Sequence, residues 1–199
     1  MWLMRGRRSV AARRRTLAAG TVAMVLSLAA CGSSRPGSSS STVTTRTSTP
    51  AALGVIPSCR PSQLAVAYAG TQGATGHMEV TLALRNVSTS ACRLRGYAEA
   101  RLLDSAGRAL PMRARRGHGF FPDTLRAPRF VSLSPGSRAR FGISFVTNSE
   151  YAHAHVCRTA VAAMAAPPGA AGRWERVSLR PAPRISPCGA LLVLSPVHT

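Results

Sequence analysis

Five cysteines carry the most specific chemistry in this sequence. Cys31 follows Leu28-Ala29-Ala30, and this run resembles the bacterial lipobox at every position. A thiol placed there can be alkylated by diacylglycerol before a signal peptidase cuts in front of it, because the peptidase needs small residues ahead of the cut. The sequence therefore predicts lipidation at Cys31.

The other four cysteines have the pattern of structural disulfides. They are Cys59, Cys92, Cys157 and Cys188, an even number in a chain predicted to be exported. Because no Cys-x-x-Cys pair occurs, a redox site is not indicated. Two disulfides are expected, and three pairings are open at this point.

A second group of chemically useful side chains falls between two expected strands, in a predicted loop. It contains Arg113, Arg115, Arg116, Phe120, Phe121, Arg126 and Arg129. Arginine forks bind phosphate or carboxylate bidentately, and exposed aromatic rings add stacking area. We expect this loop to be the candidate ligand site. The alternative is a solvated loop whose two phenylalanines pack into the core.

The sequence gives little support for catalysis or for metal binding. The six acidic residues are dispersed, and no phosphate loop, nucleophile elbow or His-Glu-x-x-His motif occurs. His153 and His155 could share one face of a strand and hold copper or zinc, but they lack a third ligand. We therefore expect no enzyme activity, no cofactor and only weak metal-site candidates.

The leader and the linker can be read from composition. A basic region spans residues 5–15, and residues 16–30 are an uncharged apolar run shorter than the roughly twenty residues of a spanning helix. We expect residues 1–30 to be a lipoprotein signal peptide, against an uncleaved anchor or an ordinary secretory signal. Residues 31–56 are rich in Ser and Thr, which predicts a disordered tether that reaches roughly 25–30 Å.

The charge is strongly one-sided. The chain has 26 basic residues, all arginine, and six acidic ones; beyond the leader, 20 arginines remain against the same six acids, a net charge of +14. Such a surface is attracted to anionic phospholipid, wall polymer or another polyanion. Nucleic acid is the wrong partner for an exported chain.

The remaining region, residues 57–199, has the alternation of short strands. The expected strands are 64–68, 78–85, 98–103, 131–133, 138–146, 156–164, 176–179 and 191–194. Asp104-Ser105-Ala106-Gly107 predicts a hairpin turn, and Pro167-Pro168-Gly169 would stop a helix in the alanine-rich run before it. The fold class is therefore all-β, an immunoglobulin-like antiparallel β-sandwich of about 7–8 strands.

Several of these features together resemble one family. They are Cys59, Gly76, Leu84-Arg85-Asn86-Val87-Ser88, Cys92-Arg93-Leu94-Arg95-Gly96-Tyr97, Asp104, Gly107 and Leu133-Ser134-Pro135-Gly136, followed more loosely by Cys157, Pro167-Pro168-Gly169 and Cys188. The pattern is similar to the actinobacterial exported and lipoprotein family called domain of unknown function 4232. The resemblance implies a β-sandwich with sequential disulfides, Cys59 with Cys92 and Cys157 with Cys188. It implies no activity.

Three functional interpretations follow. The first is a membrane-anchored lipoprotein on the extracytoplasmic face, with a non-catalytic binding module for an anionic envelope component or another envelope protein. The second is a structural or assembly lipoprotein of the envelope without a discrete ligand. The third is a weak metal-binding protein or a cryptic enzyme.

Overall fold

The computed structural model describes residues 55–153, 156–170 and 172–199. The predicted signal peptide, almost all of the predicted tether, Cys31 and His155 lie outside the described residues. Among the residues described, no helix is long and apolar enough to cross a membrane.

The described residues contain ten strands, more than the seven or eight expected. They are β1 (Leu64–Ala74), β2 (His77–Asn86), β3 (Cys92–Leu94), β4 (Glu99–Leu103), β5 (Arg113–Arg116), β6 (Val131–Leu133), β7 (Arg138–Val146), β8 (Ala162–Ala166), β9 (Glu175–Ser178) and β10 (Cys188–Leu194). Two short 3-10 turns, Pro61–Gln63 and Pro122–Leu125, are the helical elements among the described residues.

The strands form a five-stranded sheet in the order β1-β2-β7-β10-β5, a three-stranded sheet in the order β4-β8-β9, and a β3-β6 ribbon. This arrangement confirms the predicted all-β sandwich. One pairing differs from the antiparallel expectation, because β5 lies parallel to β10. Parallel neighbours need a long crossover, and here the chain between β5 and β10 includes four further strands.

The core explains why β2 and β7 were predicted correctly. Val80, Leu82 and Leu84 alternate along β2 and are fully buried, and Phe141 and Ile143 do the same on β7. This period of two is the signature of a strand with one face in the core. Strands with that alternation could be predicted from the sequence.

Two strand predictions need correction. Residues 113–116 were expected in a loop, since they show no apolar alternation; all four are exposed, and their backbone pairing with β10 makes them a strand. The strand expected over 156–164 instead spans Ala162–Ala166 and ends just before Pro167. Alanine favours helix intrinsically, but here neighbours on both sides, β4 and β9, impose the extended form.

The Asp104 turn is present as predicted. Asp104 Oδ1 accepts hydrogen bonds from the backbone N–H of Arg108 and of Ala106, each at 2.9 Å. The bond from Arg108 is the largest cause that lowers the pKa of this carboxyl. The turn thus closes on an ionised aspartate, which returns the chain from β4.

Asn86 ties three parts of the domain together at the end of β2. Its Nδ2 donates to the carbonyl oxygens of Ser90 (2.8 Å) and Leu133 (3.0 Å), and its Oδ1 accepts from the Ser88 N–H at 3.0 Å and from the Ser88 hydroxyl at 2.8 Å. The side chain is fully buried. Each polar group left without its partner there would cost about 1–3 kcal/mol.

Both disulfides implied by the family resemblance are present. Cys59 pairs with Cys92, and Cys157 pairs with Cys188, at sequence separations of 33 and 31. The first fixes the N-terminal segment to β3. The second joins the segment before β8 to the start of β10.

We predict that reducing both disulfides lowers the free energy of unfolding by about 3–4 kcal/mol per bond, since loops of this length are freed in the unfolded chain. Urea unfolding with and without reductant measures this. A variant with Cys157→Ser and Cys188→Ser should show about half of the effect. An unfolding midpoint that reductant leaves unchanged would contradict the prediction.

Candidate functional site

The predicted ligand loop begins where β5 ends, with a reversal at Gly117 and His118. Gly117 has a φ of 68°, a conformation that glycine adopts without steric cost, and His118 has a φ of 57°. The Arg115 Nη2 donates to the His118 carbonyl oxygen at 2.6 Å. Arg115 therefore serves the turn, and this contact takes up part of its donor capacity.

Thr124 closes the loop from its other side. Its hydroxyl accepts from the Gly119 N–H at 2.9 Å and donates to the Phe121 carbonyl oxygen at 2.6 Å. Its own carbonyl oxygen accepts from the His118 N–H at 3.0 Å. The side chain is buried, so these bonds are formed away from solvent and fix the path of residues 118–124.

The two loop phenylalanines do not share one environment. Phe121 is only 5% exposed and offers no surface to a ligand, as in the alternative in which the loop phenylalanines pack into the core. Phe120 is 48% exposed and stacks on His77, with ring centroids 4.2 Å apart and planes 5° from parallel. Phe121 thus packs into the core, whereas Phe120 lies on the surface near the start of β2.

A different phenylalanine, Phe130, is the exposed ring among arginines. It is 55% exposed, and the guanidinium carbons of Arg93 and Arg95 lie 4.4 Å and 5.1 Å from its centroid. Beside it, Arg126 and Arg129 line a groove of about 490 Å³. We call Phe130 with these four arginines the Phe130 surface.

The β3-β6 ribbon positions this surface. Leu94 pairs with Val131 and both are buried, whereas Arg93 pairs with Ser132 one position away, so Arg93 points outward beside Phe130. The Arg93 Nε is shielded from solvent and has no hydrogen-bond partner among the described residues. Stacking on the ring, rather than an ion pair, is therefore the contact that places this cation.

A second basic site lies between β4 and β5. Arg101, Arg113 and Arg116 line a groove of about 410 Å³ together with Trp174 and Glu99. The guanidinium carbon of Arg101 lies 4.7 Å from the Trp174 ring centroid. We call these five residues the tryptophan groove. Its volume is within the range of small-ligand pockets.

The two basic sites are neighbours around the C-terminal strand. Leu194 lines the tryptophan groove, and Pro196, two residues on, lines the groove beside Phe130. Tyr97 pairs with Pro196 through an isolated bridge, and the Arg116 guanidinium lies 6.0 Å from the Tyr97 ring. Arginine–aromatic pairs thus recur on both sides of residues 194–196.

Most of the acidic residues are already engaged within the fold. The carboxylates that accept hydrogen bonds or form ion pairs there are those of Glu79, Asp104, Asp123 and Glu175. Asp123, for example, accepts from Arg126 Nε at 2.7 Å and lies 3.3 Å from His198 Nε2. The positive charge of the two basic sites is therefore only slightly compensated.

The arrangement is suited to binding anions. Guanidinium groups stacked on rings keep their N–H edges available for bidentate bonds to phosphate or carboxylate. Within the described ranges, no three residues of the types His, Cys, Asp and Glu lie close enough to hold a metal ion. His153 is exposed in a turn with a φ of 45° rather than on a strand.

The predicted site residues are thus divided among three places. Arg113 and Arg116 enter the tryptophan groove, Arg126 and Arg129 enter the Phe130 surface, and the stretch from Arg115 to Phe121 forms the packed turn. In Cys92-Arg93-Leu94-Arg95 the two arginines alternate with apolar residues. On a strand this spacing turns both arginines away from the core, so the sequence held a signal for these outward-facing cations. Arg101 and Trp174 carried no such signal, because tertiary packing alone brings Trp174, just before β9, to Arg101 on β4.

Comparison with known families agrees with the sequence pattern. A family model described as Domain of unknown function (DUF4232) matches residues 59–198, which covers nearly all of the described domain. No curated protein matches the chain, and no solved structure matches it.

We predict that Thr124→Val destabilises the domain by about 1–3 kcal/mol, since the Gly119 N–H loses its buried partner and the Phe121 carbonyl oxygen keeps only the Thr124 backbone N–H. Chemical unfolding followed by fluorescence measures the change. Thr89→Val, at an exposed position, is the matched control and should stay within about 0.5 kcal/mol of the parent. Equal stability of the two variants would show that the loop does not depend on Thr124.

Proposed function

We propose that this chain, which belongs to the family of domain of unknown function 4232, is an exported lipoprotein with a non-catalytic binding module. Its ligand is an anionic component of the cell envelope that carries phosphate or carboxylate groups. The lipid on Cys31 holds the module at the extracytoplasmic face of the membrane, and the tryptophan groove binds the ligand.

One observation carries the binding proposal: three arginines converge on the tryptophan groove, which holds a single carboxylate, that of Glu99. Arg101 is oriented by Trp174, while Arg113 and Arg116 are two exposed positions of one short strand. The three guanidinium groups repel one another, and a bound anion would offset this repulsion. Trp174 adds a flat face against which a sugar or other planar group can pack.

Export is supported by the chemistry of the cysteines. The lipobox-like run ends at Cys31, and the other four cysteines form two disulfides in the domain. Disulfides form and persist in oxidising compartments outside the cytoplasm. A lipid-modified cysteine with two or three acyl chains would give stable attachment.

The spread of the charge favours a second candidate, an envelope lipoprotein that uses total charge without a discrete ligand. Arg176 and Arg180 are exposed around β9, where they border a different groove from the two basic sites. If binding depends on net charge alone, these arginines contribute as much as those of the tryptophan groove.

We predict that Cys31→Ala abolishes lipid attachment in the native host. Metabolic labelling with an alkyne-tagged palmitate should mark the parent chain and a Ser33→Ala control but not the variant. Labelling that persists in Cys31→Ala would contradict the lipoprotein assignment and would leave the binding proposal untouched.

We predict that Arg113→Gln with Arg116→Gln weakens binding of a short-chain polyphosphate at least about 100-fold at about 0.15 M salt, where the Debye length is about 8 Å, since each lost charged hydrogen bond contributes about 1.5–3 kcal/mol. The binding curve comes from fluorescence anisotropy of labelled polyphosphate titrated with the processed chain in nonionic detergent.

The control carries Arg176→Gln with Arg180→Gln, which removes the same charge elsewhere. We expect it to bind within about threefold of the parent, because distant surface charges are screened. Equal weakening in both variants would replace the binding module with the second candidate.

A further inference from the structure

The chain enters the described domain directly beside the Phe130 surface. The Arg93 N–H donates to the Pro57 carbonyl oxygen at 2.8 Å, and the Cys59 N–H donates to the Arg93 carbonyl oxygen at 3.0 Å. The Cys59–Cys92 disulfide locks the same contact. Whatever holds the residues ahead of Val55 therefore acts on the domain from this side.

The surface there combines positive charge with exposed apolar side chains. The four arginines surround Phe130, and Val55 and Leu125 are also exposed, at 75% and 64%. Asp123 is the nearby acid, and it is already paired with Arg126. An apolar ring among arginines is the pattern of side chains that enter the headgroup region of an anionic bilayer.

The opposite end of the five-stranded sheet is different. Asn86, which bonds β6, ends β2, and His77 begins it, so the two ends are about 30 Å apart for a strand of this length. At the His77 end, Tyr151 is exposed and stacks at 6.4 Å from His77. This end provides a reference position far from the chain entry.

We infer that the Phe130 surface docks on the anionic phospholipid headgroups of the membrane in which the chain's own lipid is anchored. Phe130 enters the headgroup boundary, and Arg93, Arg95, Arg126 and Arg129 bind lipid phosphates around it. This inference rests on the lipid anchor of the proposed function but uses a surface other than the tryptophan groove.

Because the lipid anchor keeps the domain near the membrane, a surface of low intrinsic affinity is sufficient for docking. The 23 residues between Cys31 and Val55 can span at most about 80 Å even when fully extended. A surface held that close experiences the membrane at an effective concentration of order millimolar. Because the entry point adjoins the Phe130 surface, docking requires no turning of the domain against its tether.

The test places a fluorescent probe at the surface of the full, lipid-anchored chain. The variant Phe130→Trp is reconstituted into vesicles of phosphatidylglycerol or of phosphatidylcholine, each with brominated acyl chains. We expect tryptophan quenching beyond that of the parent chain, at least about twofold greater on phosphatidylglycerol, because the docking is charge-assisted. Tyr151→Trp, the matched probe at the far end, should show no such excess.

Charge variants test the arginines. Adding Arg126→Gln and Arg129→Gln to the probe variant should lower the docked-to-undocked ratio by about 30-fold, at about fivefold per arginine near an anionic surface. Adding Arg176→Gln and Arg180→Gln removes the same charge at β9 and should leave the quenching nearly unchanged.

Hydrogen exchange on the unsubstituted chain checks the result without a probe. Residues 126–133 should exchange more slowly on phosphatidylglycerol than on phosphatidylcholine vesicles. Quenching and protection that are absent, or equal on both lipids, would overturn the inference. Protection produced by a soluble anionic wall polymer but not by vesicles would also overturn it.

Failure of the anchor is separable from failure of docking. A chain without lipid leaves neutral phosphatidylcholine vesicles on flotation, which contradicts the proposed function. A chain that floats with both lipids and shows no quenching retains its anchor and contradicts the docking alone.

Discussion

The buried amide of Asn86 is the interaction on which the basic surface depends. It satisfies the carbonyl oxygens of Ser90 and Leu133 and accepts from Ser88, so one side chain joins the end of β2, the following turn and β6. The β3-β6 ribbon has only three residues in each strand and cannot stand alone. Asn86 on one side and the Cys59–Cys92 bond on the other hold it in place.

Aromatic rings position several of the arginines in a fold that has few carboxylates. Phe130, Tyr97 and Trp174 each carry at least one guanidinium over the ring face, and the carboxylates that could have paired with these groups mostly serve turns and buried bonds. A cation positioned by a ring keeps its in-plane donors, whereas one positioned by a carboxylate has used at least one of its five. The fold thereby holds these guanidinium groups in fixed orientations on its surface.

The sequence allowed the scaffold to be predicted better than the site. The apolar alternation predicted β2 and β7, and both strands are present. The family pattern around Asn86 and Cys92 implied the Cys59–Cys92 disulfide, which is also present. The loop with Phe121 could not be read in the same way, because a phenylalanine between arginines has the same composition whether it is exposed or packed. The tryptophan groove was beyond sequence reasoning, since β5 has no periodicity and Trp174 reaches Arg101 through tertiary packing.

The parallel pairing of β5 with β10 also has a consequence for the order of folding. Arg113 is matched to Leu191, near the end of the chain, so this edge strand has no sheet neighbour until the last strand exists. Long-range pairings form late because the loop they close must be ordered first. The β1-β2 hairpin can assemble from local contacts as soon as the chain emerges. The β1-β2 hairpin can therefore form before the tryptophan groove, which is complete only when β10 has aligned β5.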